Sequence, residues 1–312
     1  MIIAGIVIAV GLILFAVVMS LNKWDFTKLG TVQYETNAHE LSEDFQNISI
    51  DTDTAHVSFC VSDDGKCRVI CHEAEKRKHT VAVENGVLTV KIADERAWYE
   101  MIGFSFDSPF ITIYLPKHAY NALTVYTFTG DVTVSKDFTF GSIEMSTGTG
   151  DVKNYASAEA VKLNATTGDI YVEGITANTL ELSVSTGEVT VVDSTCKGSV
   201  TVGVSTGNTE LINVQCCTLI STGSTGYVSL RDVIAQEMLS IERSTGDVHL
   251  ERCDGGEIYI KTNTGSVKGG LLTGKDFVAN TSTGHVDVPD STVGAGSCKI
   301  VTTTGNIKIF ID

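Results

Sequence analysis

Four acidic side chains recur at near-constant spacing: Asp131, Asp151, Asp169 and Glu188 stand 18 to 20 residues apart, each directly after a Thr-Gly pair. If that spacing is one turn of a stacked structure, neighbouring carboxylates lie one strand apart, about 4.8 Å. Two charges at that separation repel by roughly 0.9 kcal/mol in bulk water. A calcium ion, which collects several oxygen ligands, would relieve the repulsion. Exposure at turns, where Asp and Asn are at home, would serve as well. The column is therefore a weak calcium candidate, and no other cofactor is indicated. Paired carboxylates can also cleave glycosides, but that chemistry needs two acids with divided roles and separated pKa values. A uniform ladder offers no such division, so we expect no catalytic residues.

The eight cysteines offer a second chemistry. Cys67 and Cys71 are four apart in an expected strand, roughly 13 Å, too far for one metal ion. Cys60 is expected diagonal to Cys67 across a hairpin, so no four-ligand site assembles. Cys196 and Cys216 each follow a repeat glycine by nine residues, which stacks them on adjacent coils. A disulfide would fit there, although two buried thiols acting as small apolar residues is the commoner outcome. Cys253 and Cys298 match no partner. The seven histidines form no motif, and there is neither a phosphate-binding glycine loop nor a nucleophile elbow. Residues 98–106 are unusually aromatic; they read as a plug over one end of the fold, or as a ligand or membrane-surface contact.

What must position these groups is a repeat. Thr-Gly recurs ten times, with its glycine at Gly130, Gly150, Gly168, Gly187, Gly207, Gly226, Gly246, Gly265, Gly284 and Gly305, at intervals of 18 to 21 residues. A fixed period near twenty marks a solenoid. The second residue after each glycine is β-branched: Val132, Val152, Ile170, Val189, Thr209, Val228, Val248, Val267, Val286 and Ile307. Alternation with period two is a strand pattern. Each coil reads as a strand, a Thr-Gly corner with φ > 0, a second strand and a further bend. The valines should form interior ladders and the corner threonines a hydrogen-bonding or packing ladder. The expectation is an all-β fold: a single-stranded parallel β-solenoid (β-helix) of about ten coils.

Composition agrees. Only 3 of 312 residues are proline, against 29 glycines, as continuous strand pairing requires. With 38 acidic and 22 basic residues the net charge is −16, which argues against nucleic-acid binding. Residues 2–21 carry no charge and span roughly 30 Å as a helix, the thickness of a bilayer core. They read as a single-pass transmembrane anchor, with Trp24 at the interface. Lys23 and Lys28 are a feeble positive-inside signal for a cytoplasmic body. The organisation expected is an anchor at 2–21, a linker at 22–40, a β-rich cap at 41–120 and the repeats at 121–312. Within the cap, Asn85-Gly86 marks a hairpin, and Asp64-Gly65 is expected to turn a second. The last coil has no sequence left to cover it, so its exposed edge is a candidate surface for self-association.

The motif Ser244-Thr245-Gly246-Asp247-Val248, with Asn47-Ile48-Ser49-Ile50 and the run Ile111-Thr112-Ile113-Tyr114-Leu115-Pro116, resembles a bacterial putative-adhesin family of uncharacterised domains. The resemblance covers about residues 40–312. It implies a membrane-anchored protein with its solenoid on the extracellular side, and it carries over no catalytic residues. Because no sortase-type tail is present, the anchor is expected to be residues 2–21. The first function is a surface β-solenoid that binds or scaffolds a protein or a cell-wall or surface polymer. The alternative is an accessory or sensor protein of an envelope-stress regulatory system, and a polysaccharide-cleaving solenoid enzyme comes third.

Overall fold

The computed structural model describes residues 2–21, 23–24, 32–94 and 107–312. Helix α1 (Ile2–Leu21) is uniformly apolar, and it is long and apolar enough to cross a membrane. Trp24 is exposed just beyond its end. The aromatic segment at 98–106 lies outside the described residues.

The rest is a parallel β-solenoid of about ten turns. In one representative coil, strand Thr179–Thr186 turns at Gly187 into strand Val189–Cys196. Leu180, Leu182 and Val184 pair with Val200, Val202 and Val204 of the next coil, and all six are buried. The alternating apolar set thus points inward and stacks like on like, one strand spacing apart. Five consecutive coils bend again six residues after the corner glycine, where Gly174, Asp193, Asn213, Asp232 and Arg252 all have φ between 48° and 70°.

The corner requires glycine for two reasons. Gly207 has φ +138°, a region closed to ordinary L-residues. A Cβ there would also overlap the carbonyl oxygen of Gly187 on the preceding coil. The corner threonines donate nothing comparable: Thr186 and Thr206 are exposed, and their carbonyls accept the amides of Gly168 and Gly187 at 3.0 Å. The hydroxyl ladder lies two residues earlier, where Thr147 and Thr262 donate to the carbonyls of Gly130 and Gly246.

Both ends depart from chain order. At the N-terminal end, β1 (Tyr34–Leu41), β2 (Asn47–Thr54), β3 (His56–Val61), β4 (Cys67–Ala74), β5 (Arg77–Glu84), β6 (Val87–Asp94) and β7 (Phe110–Leu115) precede the first repeat coil, β8 (Ala119–Thr129) and β9 (Val132–Val134). The earliest coil, β2 and β3, is sandwiched between the later β6 and β7 on one side and β8 and β9 on the other. Antiparallel strands then close the end: β5 on β6, β4 on β7 and β1 on β4. The Asn85-Gly86 hairpin forms as expected, with both residues at φ > 0.

Three expectations need correction here. Asp64-Gly65 does not turn a hairpin, because β7 lies between β3 and β4 and pairs with both. Cys60 therefore faces Tyr114, not Cys67. Residues 34–40 belong to β1 rather than to a linker, since β4 needs an edge partner and Tyr34–Leu41 pairs along its length. Finally, the last coil, Ser297–Thr304 and Ile307–Ile311, is not the open edge. It is inserted between the coil of Ile258 and Val267 and that of Asp276–Thr283 and Val286–Asp287. The edge that ends the stack is residues 276–287.

Candidate functional site

The acid column has a structural job. The amide of Asp151 donates to Asp131 Oδ1 at 2.8 Å, that of Asp169 to Asp151 Oδ1 at 2.9 Å, and that of Glu188 to Asp169 Oδ1 at 2.7 Å. The same bond recurs without an acid, from the Tyr227 amide to Asn208 Oδ1 and from His285 to Asn306 Oδ1. Asp131, Asp151, Asp169, Asn208 and Asn306 thus each cap the corner amide of a neighbouring coil, a turn-specific role for short polar residues, whereas the Glu188 carboxylate accepts the hydroxyl of Thr190. Among the described residues this column does not bring three carboxylates within reach of one ion.

The stacked cysteines occupy one interior column, Ala177, Cys196, Cys216 and Ala235. Cys196 and Cys216 are buried free thiols. Cys196 Sγ lies 3.0 Å from the carbonyl oxygen of Asn178, and burial pushes the Cys216 thiol up to about 12. These groups pack and do not react.

The interior also holds an arginine. Arg243 enters the core where other coils place Thr147 or Val184, in the space left by Gly223. Its guanidinium donates to Thr209 Oγ1 at 2.7 Å and Ser221 Oγ at 3.1 Å, while Nε has no partner among the described residues. Burial lowers its pKa to about 10. Thr209, the one non-aliphatic member of its column, is there for this side chain.

The most concentrated chemistry lies under the N-terminal cap, at residues that form no sequence motif. Cys71 and Glu73 share the inward face of β4. The β4–β5 turn carries His79 back over them. Glu73 Oε2 accepts the His79 amide at 2.6 Å and lies 2.7 Å from His79 Nδ1; Oε1 accepts Asn37 Nδ2 at 2.8 Å. Thr52 Oγ1 lies 2.8 Å from His79 Nε2. Glu73 is 1% exposed, His79 6% and Cys71 0%. Burial first, and then the Glu73 charge, pushes the Cys71 thiol up to about 12. Spacings of two and eight residues match no known ligand signature, and the turn at 74–77 lacks Gly, Asn or Pro. Only alternation in Cys71-His72-Glu73 could have hinted at a shared face.

A family model described as Toastrack matches residues 45–203 and again 188–312, which together cover nearly all of the solenoid and its cap. The chain belongs to the Toastrack DUF4097 family. Membership agrees with the resemblance drawn from the Ser-Thr-Gly-Asp-Val motif. Among solved structures, this Toastrack chain is similar to a putative lipid binding protein from Parabacteroides distasonis, at 18% identity and TM-score 0.54, covering 90% of this chain and 98% of that one. It is also similar to a putative adhesin from Bacteroides fragilis, at 16% identity and TM-score 0.42, covering 89% and 97%. A putative adhesin from Parabacteroides distasonis matches at 12% identity and TM-score 0.42, covering 89% and 98%. The first likeness speaks for the fold. No curated protein matches the chain.

Proposed function

We propose that this Toastrack chain is a non-catalytic, membrane-anchored binding or scaffold protein whose solenoid stands on the extracellular side. Helix α1 supplies the anchor, and the solenoid supplies a rigid surface. One observation carries the binding reading: the corner columns are consumed by coil-to-coil hydrogen bonds, whereas one outer face is left open and chemically mixed. There, Thr124, Glu144, Lys162, Glu181 and Thr201 line a shallow groove of about 440 Å³. On the same outward side of β8, Tyr126 and Phe128 are exposed at 49% and 60%. Aromatic side chains beside hydroxyls and carboxylates suit an extended surface polymer or a protein partner.

A membrane-impermeant amine reagent should label Lys162 on intact cells; labelling only after lysis would overturn the orientation. Exchanging Tyr126→Ser and Phe128→Ser should lower retention of full-length protein on isolated cell-wall polymer several-fold. Unchanged retention, or no retention of the wild type on polymer or surface proteins, would remove this face from the reading.

A further inference from the structure

We infer that Cys71, Glu73 and His79 form a binding site for a single divalent transition metal ion of the zinc class, built into the cap of the solenoid. Among the described residues this is the group of three His, Cys, Asp or Glu side chains whose ligand atoms all lie within 4.8 Å of one another. Ligands at the 2.0–2.3 Å bond lengths of tetrahedral zinc stand about 3.5 Å apart, so the widest pairs need close by about 1 Å while Glu73 Oε2 and His79 Nδ1, 2.7 Å apart, open by slightly less. A thiolate, an imidazole and a carboxylate are the donor types that zinc takes in proteins.

The surroundings fit a filled site better than a bare hydrogen-bond cluster. The Cys71 thiol is wholly buried, lies beside an acidic side chain, and donates no hydrogen bond among the described residues. A thiol placed only for packing has no use for a carboxylate two residues away on its own face. Charge balances as well: one thiolate and one carboxylate neutralise a divalent cation, with His79 neutral, so the occupied interior carries no net charge. The outer partners are already in place. Thr52 Oγ1 stands at His79 Nε2 and Asn37 Nδ2 holds Glu73 Oε1, the kind of second layer that orients metal ligands. A small pocket of about 80 Å³, lined by Glu73, His79, Arg77 and Tyr34 among others, gives a way in from the surface.

Binding proceeds with protons accounted for. The metal takes the place of the hydrogen between His79 Nδ1 and Glu73 Oε2; that proton passes to Nε2 of the neutral imidazole, with the Thr52 hydroxyl turning from donor to acceptor. The imidazole keeps one proton, on Nε2, donated to Thr52 Oγ1, and the Cys71 proton leaves to solvent. Nothing is oxidised or reduced. Three protein ligands leave a fourth position for water. Because the ligands and their supports come from β1, β2, β4 and β5, the ion would tie the antiparallel cap to the first coil.

The test uses full-length protein in detergent, stripped with a chelator and titrated with Co²⁺. One equivalent should produce a near-ultraviolet thiolate-to-cobalt band and tetrahedral visible bands, both abolished by Zn²⁺. Cys71→Ser should lose the thiolate band and His79→Gln should weaken binding at least tenfold. Cys60→Ser and Cys217→Ser, which alter the more accessible thiols, should leave the spectrum unchanged. X-ray absorption at the zinc edge of the wild type should show one sulfur with nitrogen or oxygen neighbours, a readout independent of how the variants fold. No thiolate band, a band that survives Cys71→Ser, or a zinc shell with no sulfur or several would each overturn the site.

Discussion

Gly265 donates its backbone N–H to the carbonyl of Thr304 at 2.9 Å, thirty-nine residues further along the chain. Gly305 in turn donates to the carbonyl of Thr283 at 3.0 Å. The last coil in sequence is thus the next-to-last in space, and among the described residues the strands of 276–287 pair with that coil alone. A stop codon in place of Ser297 should leave 276–287 without its neighbour, and its amides should exchange with solvent as fast as an unfolded segment. Native-like protection of 276–287 in the truncated protein, read by hydrogen exchange, would mean that this coil can pair directly with the coil of Ile258 and would remove the inserted order.

Gly207→Ala should be severely destabilising. The substitution forces an L-residue to φ +138°, a strain of order 1–3 kcal/mol, and adds the collision with the Gly187 carbonyl. Denaturant unfolding should show a loss of at least about 2 kcal/mol, whereas Gly203→Ala, on an ordinary strand position, should cost well under half of that. Equal effects would deny the corner its special status.

Arg243 is a buried cation that pairs with hydroxyls. Removing it alone leaves Thr209 and Ser221 short of a partner, so Arg243→Met should change stability by less than about 1 kcal/mol. Adding Thr209→Val, which restores the aliphatic column, should make the double variant more stable than the wild type by about 1–2 kcal/mol. The sign with pH is fixed by linkage: burial holds the folded pKa at about 10, below the ordinary arginine value, so the unfolded chain binds the proton more tightly. The wild type therefore gains on Arg243→Met as pH rises above about 10. A wild type that instead loses stability relative to Arg243→Met over that range would contradict this placement.

Thiol reactivity should divide cleanly. Burial raises the thiols of Cys67 and Cys253 to about 11 and those of Cys71, Cys216 and Cys298 to about 12, and Cys196 is buried and raised as well. Raised values keep these groups protonated and unreactive near neutrality. Alkylation of the native protein at pH 8 should therefore modify Cys60 and Cys217, the two part-exposed cysteines. All eight should react after denaturation without reductant, as measured by mass. Fewer than eight would indicate a disulfide.

On the second bend, Arg252 pairs with Asp232 at 2.6 Å and with Glu251 at 2.8 Å. Its side-chain hydrogen bonds hold both carboxyls below their ordinary values. Depressed folded values contribute stability above the unfolded pKa, and that stability is lost as pH falls through the folded one. Arg252→Gln should flatten the acid side of the stability profile below about pH 4.5, with little change at pH 7 because the groups are exposed. An unaltered acid limb would show that the pairs contribute nothing.

The sequence by itself determined the solenoid. A Thr-Gly corner every 18 to 21 residues, followed by alternating β-branched positions, admits one stacked answer, because only glycine tolerates the corner and only period-two burial fills the interior. The hairpin at Asn85-Gly86 and the stacking of Cys196 on Cys216 were legible for the same local reasons; that both thiols are free was not, since a disulfide would also have suited the column. What the acid column does was half legible: Asp131 and Asp151 read as turn residues, but their bond to the next coil's amide is a contact across twenty positions.

Tertiary structure decided the two ends and the buried cluster. Repeats specify that coils stack but not in which order the terminal ones do so, since each presents equivalent backbone donors and acceptors to any neighbour. Hence the insertion of 297–311 and of β2 and β3 left no sequence trace. Cys71, Glu73, His79 and Thr52 converge because β4, β5 and β2 meet beneath the cap, and their separations along the chain reflect strand lengths, not ligand geometry. Local chemistry wrote the columns; only the packing of whole strands could bring a thiol, a carboxylate and an imidazole to one point.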